Sequence, residues 1–88
     1  MSADRGRRLL IARSAAKEIE RLPPHVKEAC KRILRGLADG SERGKALKGE
    51  LSELRSVRLG RTHRLLYRET PGEIQVVDVG PRGDIYTR

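Results

Sequence analysis

The 88-residue sequence has no phenylalanine, no tryptophan and no asparagine, and only one cysteine and two tyrosines. A chain of this length buries only about 60–65% of the surface its unfolded form exposes. Its core must therefore be small and aliphatic, which excludes a cofactor-binding domain or a deep enclosed cavity. A lone Cys30 cannot close an internal disulfide, so folding requires no oxidising compartment. Without asparagine there is no N-glycosylation acceptor. No stretch approaches the roughly 20 apolar residues that span a bilayer. The basic start at Arg5, Arg7 and Arg8 leads into only four apolar residues, Leu9 to Ala12, before Arg13, which is not a secretory pattern. These absences predict one soluble, cytoplasmic domain over residues 1–88.

Charge is what the sequence has in excess. Twenty Lys and Arg against twelve Asp and Glu give +8, a field that favours polyanions. The excess is local: Arg43–Arg68 holds eight basic residues (Arg43, Lys45, Lys48, Arg55, Arg58, Arg61, Arg64, Arg68) and two acids, Glu50 and Glu53. Fifteen of the twenty cations are arginine, whose planar fork matches phosphate bidentately.

The periodicity predicts an α+β domain. A short strand is expected over Arg7–Arg13, then a helix capped by Ser14 with Ala15, Ile19 and Leu22 on one face. Pro23 and Pro24 end that helix and start a second, whose stripe is Val26, Cys30, Ile33, Leu34 and Leu37, with Gly40 closing it. Runs at Leu54–Leu59, His63–Glu69 and Glu73–Val79 read as strands of antiparallel hairpins. Gly80-Pro81 is expected to break the third, with a last short strand over Gly83–Thr87. The expected order is β-α-α-β-β-β(-β), a helical hairpin on one face of an antiparallel sheet.

Alternation places Arg64, Leu66 and Arg68 on one face and Leu65 and Tyr67 on the other; Ser56 and Arg58 likewise oppose Val57 and Leu59. If the helices cover the apolar face, the arginines line the open one. Keeping a sheet soluble does not require a single sign of charge, so a phosphate-binding face is the stronger reading. His25 and His63 lie on different elements with no carboxylate cluster beside them, so no metal or cofactor is expected. RNA brings its own nucleophile, the 2′-OH. An enzyme need only take that proton, stabilise the phosphorane and protonate the leaving oxygen. Arginines suit the middle task, and Tyr86 near Arg82 is a candidate for proton transfer. Tyr67 and Cys30 read as core, and His25 as structural.

Five segments in order, Ser14-Ala-Ala-Lys-Glu-Ile-Glu-Arg-Leu-Pro23, Lys45-Ala-Leu-Lys-Gly49, Leu54-Arg-Ser-Val-Arg-Leu-Gly60, Arg64-Leu-Leu-Tyr67-Arg and Val79-Gly-Pro-Arg-Gly-Asp-Ile-Tyr86, resemble the RelE/ParE toxin superfamily from about residue 7 onward. The resemblance implies a microbial-ribonuclease-like fold and a type II toxin–antitoxin toxin that cuts mRNA in the ribosomal A site without metal. It implies phosphate stabilisation by Arg64 and Arg82, proton transfer by Tyr86, and activation of the 2′-OH by Arg58. Lys45, Lys48, Arg55, Arg61 and Arg68 are then expected to bind RNA.

The implied partners are mRNA, the ribosome and an acidic, partly disordered antitoxin. Operator DNA is reached only through the antitoxin complex, and no membrane is involved. Ser56 stands where some RelE enzymes carry lysine, and Pro81 where some relatives carry histidine. Arg82 and Tyr86 are closer together than in some members, and the C-terminal helix that several carry is not expected. Those departures keep two alternatives open: a ParE-type toxin that poisons DNA gyrase without cutting RNA, or an inactive antitoxin-binding member.

Overall fold

A computed structural model describes residues 6–81. The chain runs β1 (Arg8–Ile11), α1 (Arg13–Glu20), α2 (Pro24–Asp39), β2 (Lys45–Ala46), a 3₁₀ turn (Gly49–Leu51), β3 (Leu54–Leu59), β4 (His63–Thr70) and β5 (Glu73–Pro81). The five strands lie in the order β1-β5-β4-β3-β2. Antiparallel hairpins account for β2 through β5. The first strand differs from expectation, since it pairs parallel to β5, Arg8–Ile11 against Glu73–Val76. Both helices and strands β2–β4 lie between β1 and its partner β5, which gives the long connection that parallel pairing needs.

Helix α1 starts one residue before Ser14, which makes no cap. Its N-cap is Ala12, whose N–H donates to the Val76 carbonyl at 3.0 Å and whose own carbonyl accepts from Ala16 at 2.9 Å. The sheet holds the chain up to the residue where the helix begins, and no side-chain cap is required. Helix α2 begins on Pro24 at its first turn and closes at Gly40 with φ +87°, a left-handed conformation that suits glycine.

One apolar face of the sheet meets one face of the helices. Ala15, Leu22, Val26, Cys30 and Leu37 pack on Val57, Leu59, Leu65, Tyr67, Ile74, Val76 and Val79, all buried, with Leu9, Ile19, Ile33 and Leu34 at the margin. On β5 the inward residues break strict alternation, because β4 and β5 slip register between Leu66 and Tyr67. Tyr67 faces Val76 and Leu66 faces Asp78, leaving Val77 as an extra residue. The bulge lets Ile74, Val76 and Val79 all point at the helices. Gly80-Pro81 does not break this strand: Gly80 pairs with Arg64 and Pro81 with His63. A proline is tolerated here because Asp78–Pro81 have no strand on their other side among the described residues. The expected strand over 83–87 lies outside the described residues, and the additional strand found is β2.

Candidate functional site

The sheet face away from the helices is organised in rows across the strands. Lys45, Ser56, Leu66 and Asp78 form one row and Arg58, Arg64 and Gly80 the next. Arg68 lies in a third row with Leu54 and Gln75. Arg58 and Arg64 are directly opposed, a pairing of like charge that disfavours folding by itself. Arg58 is exposed and Arg64 half-buried. The Arg64 Nη1 donates to the Ser56 Oγ at 3.1 Å. Ser56 and Leu66 are 5% and 4% exposed, forming a buried floor on a face that carries no helix.

The remaining cations divide. Lys45 shares the face by register with Ser56, and Arg68 shares it while contacting Glu53 at 3.5 Å. Arg61 is exposed in the β3–β4 turn, next to the Arg58–Arg64 row, and Lys48 is exposed beyond β2. Arg55 does not belong with them. It pairs with Tyr67 on the helix-facing side, its Nη1 donates to the Gly44 carbonyl at 2.7 Å, and its Nε lies 3.3 Å from Glu69. Counting charge along the chain groups Arg55 with the RNA-binding set, whereas its parity with Val57 and Leu59 assigns it to the covered face. Arg82 and Tyr86 lie outside the described residues. His63 shares the helix-facing side with Leu59 and Leu65, and its Nδ1 is 2.7 Å from the Thr62 Oγ1.

Sequence reasoning misses the cluster around Glu69. Arg7 and Arg43 join Arg55 on this carboxylate, Arg7 through its Nη1 and Arg43 at 3.4 Å, and Arg7 also donates to the Leu37 carbonyl at 3.0 Å. The Arg7 hydrogen bond, reinforced by the charge of Arg43, holds the Glu69 carboxyl below its ordinary range despite partial burial. Glu69 continues the inward series Leu65, Tyr67, and an inward acid at a strand end was the available signal. These residues line a cleft of about 450 Å³ with Ser52, Glu53 and Thr70. The cluster clasps Arg7 just ahead of β1, the end of α2 and the sheet, on the side opposite the Arg58–Arg64 row.

The profile of the ParE toxin family of type II toxin–antitoxin systems matches residues 9–86. Among solved structures, the chain is similar to the Mycobacterium tuberculosis toxin–antitoxin complex RelBE2, at 28% identity and TM-score 0.71, over 90% of this chain and 94% of that one. It is similar to the YoeB/ParE toxin from Agrobacterium tumefaciens at 20% identity and TM-score 0.72, covering 84% and 96%. The Escherichia coli DinJ-YafQ toxin–antitoxin complex matches at 14% identity and TM-score 0.75, covering 91% and 97%; the latter two likenesses are of fold. No curated protein sequence matches significantly.

Proposed function

The chain belongs to the ParE toxin family of type II toxin–antitoxin systems, within the RelE/ParE superfamily, and we propose that its activity is cleavage of translated mRNA in the ribosomal A site. The observation that supports this reading is the direct opposition of Arg58 and Arg64 on the uncovered face. Opposed cations cost stability unless something of opposite charge lies between them. A phosphodiester gaining charge as it becomes a phosphorane is such a group.

In the proposed reaction the 2′-OH attacks the adjacent phosphorus and its proton passes to the enzyme. The bond to the 5′-oxygen breaks as that oxygen is protonated, leaving a 2′,3′-cyclic phosphate and a 5′-OH. Arg64 and Arg58 face the phosphoryl oxygens, with Arg58 also favouring the 2′-alkoxide. By resemblance Arg82 adds a further cation and Tyr86 transfers the proton. Lys45, Lys48, Arg61 and Arg68 hold the flanking backbone; Arg55 has no part in this. The 2′-OH supplies the nucleophile, so the proposed chemistry needs no metal. An acidic antitoxin neutralises the same face, folding as it binds.

The test is primer extension on message from a cell-free translation reaction, adding protein previously dialysed against chelator. New 5′ ends at A-site codons, on translated message only, are expected. Arg64→Ala should lower the rate by about 10²-fold or more. Intact message together with inhibited gyrase supercoiling would replace this reading with a ParE-type poison, and intact message with normal supercoiling with an inactive antitoxin binder.

A further inference from the structure

We propose that Ser56 is a positioning residue, which fixes the Arg64 guanidinium above the sheet in the orientation that meets a phosphate. The kinetic part of this inference rests on the ribonuclease reading; the geometric part does not.

Two opposed arginines on an open face would ordinarily swing apart into solvent. Arg64 instead reaches across the ladder. Its Nη1 donates to Ser56, the residue two positions before its direct partner Arg58, at 3.1 Å. A diagonal neighbour lies roughly 7–8 Å away across an antiparallel pair, a span that a long side chain covers. The bond draws the Arg64 head toward the Ser56–Leu66 row.

Both floor residues are nearly inaccessible, at 5% and 4% exposure, so water competes weakly for the serine hydroxyl. A guanidinium offers five donors in one plane. Anchoring the Nη1 on Ser56 therefore constrains the plane of the group. A cation oriented before the substrate arrives stabilises developing charge without reorganising during the reaction.

The first arm of the test needs no activity. In ¹⁵N-resolved spectra of arginine side chains, with Arg64 assigned through Arg64→Lys, the Arg64 Nη signals should show slowed rotation relative to exposed Arg61. In Ser56→Ala they should rotate faster than in the wild type, and in Ser56→Thr, which keeps the hydroxyl, they should stay slow. Arg64 signals unchanged by Ser56→Ala would overturn the proposal. Faster rotation in Ser56→Ala supports it even if the wild-type protein cuts no RNA, an outcome that would sink only the ribonuclease reading.

The second arm is kinetic. Ser56→Ala should lower kcat about tenfold with KM changed less than about twofold, and Ser56→Thr should restore most of the rate. In an Arg64→Ala background, Ser56→Ala should add no further loss. A full tenfold loss there would mean that Ser56 acts independently of Arg64, and the proposal fails.

Discussion

The phenolic oxygen of Tyr67 accepts a hydrogen bond from the backbone N–H of Gly44 at 2.7 Å, joining the loop after α2 to the middle of the sheet. The glycine is required by space. A Cβ there would lie 2.8 Å from both the Ser56 carbonyl and the Val57 Cγ2, and 3.0 Å from the Tyr67 ring. Gly44→Ala should therefore cost about 1–3 kcal/mol through overpacking. Tyr67→Phe should cost about 1–2 kcal/mol by leaving the amide without an acceptor. Chemical denaturation measures both; a change under about 0.5 kcal/mol in either would show that the loop is not held this way.

Acid should loosen the clasp on the opposite side. The folded Glu69 carboxyl sits below its ordinary range, chiefly because of Arg7. Its contribution is complete above the unfolded glutamate value, about pH 4.3, and drains away as pH falls through the lower folded value. Glu69→Gln should lower stability at pH 7 by about 1–3 kcal/mol and flatten the acid limb of the stability curve. An unaltered acid limb would place the titration elsewhere.

Arg55 and Arg58 are three residues apart and should respond oppositely to the same change. Arg55→Gln removes ties to Glu69 and Gly44 and should destabilise the fold by about 1–2 kcal/mol, with RNA affinity barely altered. Arg58→Gln should leave stability equal or slightly higher, by relief of its opposition to Arg64, and weaken binding to single-stranded RNA. Its slope of log affinity against log salt should fall by roughly 0.7 for the lost phosphate contact. Equal loss of affinity in both variants would contradict the division of the sheet into two faces.

Cys30 is fully buried in the α2 stripe, and burial raises its thiol above the ordinary value. Thiolate is the reactive form, so native-state labelling by a disulfide reagent should be slow and should track global opening. Rapid labelling of folded protein would mean that α2 detaches from the sheet at low cost.

The elements that local pattern controls were legible in the sequence. Helix α2 has a proline start, a regular apolar stripe and a glycine stop, and it appears with those bounds. The alternation in β3 and β4 likewise assigned Arg58, Arg64 and Arg68 to one face. Nonlocal features were not legible. Two residues, Lys45–Ala46, are too few to show a strand period, and only β3 beside them makes them a strand. Parallel pairing of β1 depends on what α1 and α2 bring together, and the bulge at Val77 on a register slip between two strands. Arg55 was readable by parity, but charge counted along the chain conceals it.

The Val77 bulge also divides β5 mechanically. Glu73–Val76 are strand-paired on both edges, by β1 and by β4, whereas among the described residues Asp78–Pro81 pair as strand only with β4. The strand has a stem paired on both edges and a tip paired, among the described residues, on one, and the tip carries Gly80 beside Arg64. Amide exchange should thus be slow up to Val76 and faster beyond the bulge. A ligand spanning β4 and the tip would act as a splint, giving the second half of the strand the support that β1 gives the first.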